Sequence, residues 1–203
     1  ALERHQRGDL EAAEEGYLAI LAEAPANFSA LHFLGMLRTQ KGDFQGAARL
    51  LAEALRVNPR AALAHAHLAL ALEALGQSEQ ALAHFQFSLM LKPNQPDTLL
   101  NCALVLQSLG RSAEALERWT QLLALAPATV TALLNRALVL QDLHRPEEAL
   151  ASLDEALALD PGCADALLAR SRALRQAGRR EEALAALQRV LAPEPDRIEA
   201  LRD

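Results

Sequence analysis

Histidine and cysteine are the side chains of this sequence best suited to metal binding or covalent chemistry, and their spacing favours neither. His65 and His67 are two residues apart, so on a helix they point to different faces, and no H-E-x-x-H pattern accompanies them. Cys102 falls at a position of the helical pattern that is normally apolar, so we expect it to fill the core rather than act as a nucleophile. Cys163 lies near a turn. Two cysteines are too few for a disulfide framework and lack partners at metal-ligand spacing. We therefore predict structural histidines, no metal, and a reducing, cytoplasmic setting.

Motifs for nucleotide, ester or amide chemistry are also missing. The sequence contains no Walker loop, no G-x-S-x-G elbow and no dinucleotide-binding fingerprint. We predict that the chain is not an enzyme and needs no cofactor.

The charge distribution argues against a general nucleic-acid binder. The formal net charge is −6 at pH 7, whereas neutralising phosphates needs a clustered excess of Lys and Arg. The densest basic stretch is followed at once by Glu181 and Glu182, which indicates a solvated or locally paired helix face rather than an RNA or lipid patch. That stretch contains Arg170, Arg172, Arg175, Arg179 and Arg180.

Targeting signals are not evident. No apolar run reaches the roughly 18 residues of a membrane span, and the first residues lack the apolar core of a secretion signal. Because the chain begins with Ala1 rather than Met, we expect it to have been cut from a longer chain or processed.

The composition predicts an all-α fold. Hydrophobic residues make up 51% of the chain but aromatic residues only 3%, and Ala and Leu dominate. Ala, Leu, Glu, Gln and Arg are strong helix formers, whereas the β-branched and aromatic residues that favour strands are scarce.

Several residue types recur with a step of 34 residues, which is the signature of a repeat architecture. The prolines of this series are Pro25, Pro59, Pro93, Pro127, Pro161 and Pro195. The alanines are Ala13, Ala47, Ala81, Ala115, Ala149 and Ala183, and four residues after each comes Tyr17, Leu51, Phe85, Trp119, Leu153 or Leu187. The glycines are Gly8, Gly42, Gly76, Gly110 and Gly178, with His144 in the remaining place.

Each of these types has a physical task in a helix-turn-helix unit. Gly tolerates the left-handed conformation that closes a helix C-terminus, and Pro prevents the second helix from continuing. Ala lets two helices approach closely, and the bulky residue one turn later fills the space above it. The pattern therefore predicts paired helices that stack on one another.

This period and pattern resemble the tetratricopeptide repeat family over essentially the whole chain. The resemblance implies a right-handed superhelical solenoid with a concave groove. It places a partial repeat at 1–27, complete repeats at 28–61, 62–95, 96–129, 130–163 and 164–197, and the start of a further or capping helix at 198–203, all in one array spanning 1–203.

The same resemblance implies that the first helix of each repeat lines the groove, where a protein or peptide ligand would bind. The corresponding positions form an apolar strip, interrupted by Arg172, with polar residues beside it. The strip and its flanks contain Met36, Leu70, Leu104, Leu138, Asn101, Asn135, Gln107, Gln141 and Asp142.

Asn101 and Asn135 occupy the same position in adjacent repeats, where their amides could bond to the backbone of an extended peptide. This pair is similar to the asparagine ladder in the repeat region of O-linked N-acetylglucosamine transferases. The alternative is that both residues merely cap or solvate exposed helix surface. The family's carboxylate clamp for chaperone tails is not matched, because its early positions hold His32, Met36 and His67.

Three functions follow as alternatives. The first is a scaffold that binds a protein or extended peptide, without nucleic acid or membrane insertion. The second is the substrate-recruiting arm of a larger enzyme such as a glycosyltransferase. The third is a self-assembling array whose terminal faces stack between molecules.

Overall fold

The protein is all-helical, as its composition predicts. The structure, a computed structural model, describes the backbone of residues 1–191 and the side chains of residues 1–188. All regular secondary structure in this range is α-helical. The predicted further helix at 198–203 lies outside the described residues.

The chain divides into two compact units, Ala1–Val105 and Leu106–Asp203, and the division falls within one helix. Helices of the first unit are α1 (Leu2–Gln6), α2 (Leu10–Glu23), α3 (Phe28–Gln40), α4 (Phe44–Val57), α5 (Ala62–Ala74) and α6 (Ser78–Leu91). The dividing helix is α7 (Pro96–Ser108). Helices of the second unit are α8 (Ser112–Leu125), α9 (Val130–Asp142), α10 (Pro146–Leu159), α11 (Ala164–Gln176) and α12 (Arg180–Leu191).

Consecutive helices pack against each other within each unit. In unit 1, α3 packs on α4, α4 on α5 and α5 on α6; in unit 2, α9 packs on α10 and α11 on both α10 and α12. The predicted repeat 130–163 spans α9 and α10, and the other complete repeats are placed in the same way on helix pairs. The repeat boundaries themselves stay a prediction.

The small residues of the 34-residue series form the core, as predicted, together with the bulky residues as far as Leu153, whereas Leu187 is half-buried. Ala47, Ala81, Ala115 and Ala149 are fully buried, and so are the bulky residues that follow them, such as Trp119. Two helices approach closely at Gly35, where an added Cβ would lie 2.7 Å from Cγ of Leu51. Small side chains at these positions are therefore a condition of helix packing.

The glycines of the series end the first helices in the left-handed conformation, which confirms that prediction. Gly42 has φ +79°, and the amide after it, that of Asp43, bonds back to the Arg38 carbonyl. His144 takes the same conformation with φ 56°, and it is the only non-glycine residue with positive φ in the part of the chain that the structure describes. A side chain there carries a strain that glycine avoids.

Second helices of unit 2 begin with a local arginine–glutamate pair, which the sequence indicated, as one of two alternatives, only near Glu181 and Glu182. Arg145, before the first turn of α10, makes two hydrogen bonds to the Glu148 carboxylate, with nitrogen–oxygen distances of 2.6 and 2.7 Å. The same arrangement joins Arg179 to Glu182. In both pairs, the arginine lowers the pKa of the carboxyl group chiefly through these hydrogen bonds.

Candidate functional site

A pocket of about 330 Å³ lies in unit 1 between α5, the loop after α6 and the first turns of α7. Its walls combine apolar and polar side chains, which suits a ligand that offers both kinds of group. They include Leu63, His67, Leu70, Asp97, Thr98 and Asn101. Leu63 is 53% exposed, so part of its apolar surface is available to a ligand.

Leu70 and Asn101 are therefore the two predicted groove residues that the structure brings into one pocket. The Asn101 amide nitrogen donates to the Asp97 carbonyl oxygen at 2.8 Å, one turn earlier in its own helix. This bond uses one of the two amide hydrogens, and the side-chain oxygen accepts no hydrogen bond from the described residues. One donor and one acceptor of the amide thus remain for a ligand.

Asn135 repeats this geometry in unit 2, where its amide donates to the Thr131 carbonyl at 2.8 Å. Such local bonds explain how an asparagine is accommodated in the interior of a helix. They are equally compatible with exposed helix surface and with a peptide ladder, so the ladder stays a prediction.

Some of the remaining predicted residues have accessible side chains, and others already make hydrogen bonds within the fold. Leu104 is 42% exposed, Asp142 is exposed, and Met36 and Leu138 are half-buried. Gln107, in contrast, accepts a hydrogen bond of 2.8 Å from the Trp119 indole nitrogen.

Gln141 is also structurally engaged. It is buried, and its amide donates to the Ala169 carbonyl on α11 at 2.8 Å. The amides of Gln107 and Gln141 thus have tasks within the fold, which were not evident from their place in the repeat.

The histidines form pairs, a feature that the sequence analysis missed. His32 on α3 lies against His67 on α5, with Nε2 of the first 2.7 Å from Nδ1 of the second. Burial lowers the pKa of His32 to about 4, and the neighbouring His67 adds to that effect. Burial also lowers the pKa of His67, so both rings are neutral near pH 7. Their separation of 35 residues, close to the repeat step, was the available signal.

A second pair joins His65 on α5 to His84 on α6, with their Nδ1 atoms 3.0 Å apart. Nε2 of His65 is 3.0 Å from the Pro59 carbonyl and must donate to it, because a carbonyl only accepts. Nδ1 of a neutral His65 is then the acceptor and His84 the donor. Burial and the neighbouring His65 lower the pKa of His84. Among the described residues, no three His, Cys, Asp or Glu side chains are grouped as metal ligands would be.

Unit 2 contains a larger cleft, of about 670 Å³, between α11, α12 and the end of α9. Leucines form its apolar part and arginines its rim. Its lining includes Arg172, Arg175, Gln176, Arg180, Leu184 and Leu187, and Gln141 reaches it from α9. Arg172, which interrupts the predicted apolar strip, is thus part of a basic cleft.

Membrane insertion through a helix has no support in the described residues, none of whose helices is both long and apolar enough to cross a bilayer. Cys102 is buried, as expected of a core residue, and Cys163 is partly exposed at the start of α11.

Three solved structures have a similar fold and are distant in sequence. YrrB, described as a TPR protein with an unusual peptide-binding site, has a TM-score of 0.85 at 21% identity, covering 93% of this chain and 97% of its own. MamA 41-end from Desulfovibrio magneticus RS-1 has a TM-score of 0.75 at 20% identity, covering 83% and 95%. A tetratricopeptide repeat protein from Parabacteroides merdae ATCC 43184 has a TM-score of 0.73 at 22% identity, covering 94% and 76%. These identities show a common fold alone.

Matches to family models, unlike distant structures, show which family the chain belongs to. A search of curated proteins finds no significant match. One tetratricopeptide repeat model matches residues 34–96 and 101–142, and a second matches residues 140–202. The first model alone accounts for more than half of the chain, which therefore belongs to the tetratricopeptide repeat family.

Proposed function

We propose that this tetratricopeptide repeat protein is a scaffold that binds a protein or an extended peptide, and that it catalyses no reaction itself. The observation that carries the proposal is the unit 1 pocket, where accessible leucines lie beside an asparagine with a free donor and a free acceptor. Stacked repeats expose such surfaces over long distances, which suits them to extended ligands.

The chemistry of the pocket supports a peptide rather than a small molecule. Leu63 and Leu70 offer contacts to an apolar side chain, and Asn101 offers both halves of the hydrogen-bonding pattern of a peptide group. An extended peptide repeats this combination of side chain and amide at every residue. YrrB, which has a similar fold, is described as having a peptide-binding site, and the proposal extends that property to this chain.

The amount of binding energy expected from the pocket is modest. Each hydrogen bond to Asn101 should contribute about 0.5–1.5 kcal/mol. Burying the exposed part of Leu63 should contribute about 1 kcal/mol more. Replacing both side chains should therefore weaken a ligand by at least about tenfold.

Peptides selected from a random display library against the pure chain test the proposal. Their dissociation constants are then measured by fluorescence anisotropy for the wild type, for the Leu63→Ser, Asn101→Ala double variant and for Met90→Ser. Met90 is the matched control, because it is 65% exposed on α6 but does not line the pocket. The double variant should lose at least about tenfold in affinity and Met90→Ser less than about twofold. Equal losses in both variants, or the failure of any peptide to bind, would contradict the proposal.

A substrate-recruiting arm of a larger enzyme, similar to the asparagine-ladder region of O-linked N-acetylglucosamine transferases, remains an alternative. The observation in its favour is that Asn101 and Asn135 have the same side-chain geometry. The full open reading frame tests it, because a downstream catalytic domain is required.

Self-association and a cytoplasmic location also remain proposals; light scattering at several concentrations tests self-association.

A further inference from the structure

The basic cleft of unit 2 differs from the corresponding surface of the preceding helix pair in being open. Leu150 and Leu153, one repeat step before Leu184 and Leu187, are 6% and 0% exposed. They belong to α10, on which α11 packs. Leu184, in contrast, is 60% exposed and Leu187 is half-buried. The cleft thus presents apolar positions of the kind that a packed helix covers elsewhere in the same unit.

The rim of the cleft carries three arginines that have no partner among the described residues. The side chains of Arg172, Arg175 and Arg180 make no hydrogen bond or ion pair with any residue that the structure describes. Every other arginine of unit 2 whose side chain is described has such a partner, for example Glu148 for Arg145 and Asp154 for Arg170. None of the described residues that line the cleft carries a carboxylate.

The repeat pattern shows that these arginines are particular to the last helix pair. One repeat step earlier, their places are taken by Leu138, Gln141 and Pro146, and none of the earlier repeats has an arginine or a lysine at any of the three positions. Here the arginines surround leucines that remain accessible.

We propose that this cleft binds an amphipathic helix of a partner protein that presents carboxylates beside leucine-sized side chains. The accessible leucines take the apolar face of that helix, and the guanidinium groups pair with its Asp or Glu residues. The cleft lies in a different unit from the peptide pocket and uses different residues, so the failure of one proposal leaves the other intact.

The probes are two synthetic 16-residue helical peptides with leucines along one face, flanked by glutamates in one and by lysines in the other. Each exposed Arg–carboxylate contact should change affinity by about two- to threefold, so three contacts should favour the glutamate peptide by about tenfold or more. Fluorescence anisotropy with the full chain measures both dissociation constants. Added salt should reduce the difference. Equal affinity for the two peptides would overturn the proposal.

Two charge-matched variants decide whether the cleft is the site. Replacing Arg172, Arg175 and Arg180 by Gln should abolish the preference for glutamate. Replacing the paired arginines Arg111, Arg145 and Arg179 by Gln removes the same charge from the same unit and should leave the preference within about twofold. An equal loss in both variants would mean that net charge, not the cleft, selects the peptide. Circular dichroism checks that both remain helical.

Two further variants test the apolar contacts of the cleft and the possibility that the chain's own residues fill it. Leu184→Ser should weaken the glutamate peptide by at least about threefold while leaving stability unchanged, because the side chain is exposed. The chain's own residues 192–203, which include Ile198, Glu199 and Leu201, are the competing occupant. If the Ile198→Lys, Leu201→Lys double variant binds the peptide about tenfold more tightly than the wild type, the chain's own segment occupies the cleft and the partner proposal fails.

Discussion

Replacing His144 by glycine should stabilise unit 2, because this residue holds the left-handed conformation that glycine holds in the equivalent turns. Its φ is 56°, against 71° for Gly110 in the preceding helix pair. The His144 side chain is exposed and makes no hydrogen bond or ion pair with the described residues, so its loss costs no contact. The change isolates the cost of the backbone conformation.

The expected gain follows from two opposing terms. A non-glycine residue in the left-handed region costs about 1–2 kcal/mol. Glycine loses more conformational entropy on folding than histidine does, which reduces the gain in the free energy of unfolding by about 0.5–1 kcal/mol. The free energy of unfolding should therefore rise by about 0.5–1 kcal/mol, and the melting temperature by about 1–4 °C.

Gly110→His is the reciprocal control in the same unit. A Cβ added at Gly110 would meet no heavy atom within 4 Å, so only the backbone conformation opposes the new side chain. We expect a loss about as large as the gain at His144. Urea unfolding followed by circular dichroism measures both, and hydrogen exchange in α9 and α10 locates the effect of the first. A neutral or destabilising His144→Gly change, or a neutral Gly110→His change, would refute the reasoning.

The other predictions concern packing, pH and close approach. Ala115→Leu should destabilise the fold by about 1–3 kcal/mol through overpacking, whereas Asn135→Ala in the same unit should change stability by less than about 0.5 kcal/mol; equal losses on urea unfolding would mean that the repeat register is wrong. Because the pKa of His32 is lowered to about 4, the unfolded chain binds more protons between about pH 6.5 and 4, so up to about 3 kcal/mol of stability present above pH 6.5 should be lost across that window. His32→Gln should reduce this loss, and an unchanged pH profile would show that the histidine pair does not cause it. Gly35→Ala should destabilise unit 1, because the overpacking of its Cβ against Leu51, about 1–3 kcal/mol, exceeds the roughly 0.5–1 kcal/mol that alanine gains over glycine inside a helix; melting unchanged within error would contradict the close contact.

The helical fold was predictable because its determinants repeat along the chain. Ala47 and Ala81 are buried, and Gly42 has positive φ, for reasons that can be read from one helix pair and applied to all. These features depend on spacing within 34 residues rather than on long-range topology. The family models rest on the same regularity.

The parts of the site that escaped prediction depend on contacts between different helix pairs. His32 meets His67 only because α3 and α5 are brought side by side, and Gln141 is buried only because α11 presents the Ala169 carbonyl to it. Asn101 and Asn135 stay predicted ligand contacts, because their local bonds satisfy the helix without deciding what else they bind. Contacts to a partner depend on chemistry that is not encoded within the repeat.

The proposal that the first helices of this scaffold bind a partner can be tested directly by chemical-shift perturbation with a selected peptide. The two-dimensional spectrum of the ¹⁵N-labelled chain is recorded with and without the peptide. We predict the largest shifts at Leu63, His67, Leu70 and Asn101, where α5 and the first turns of α7 line the pocket. Shifts confined to α4 and α6, with those four residues unchanged, would contradict it.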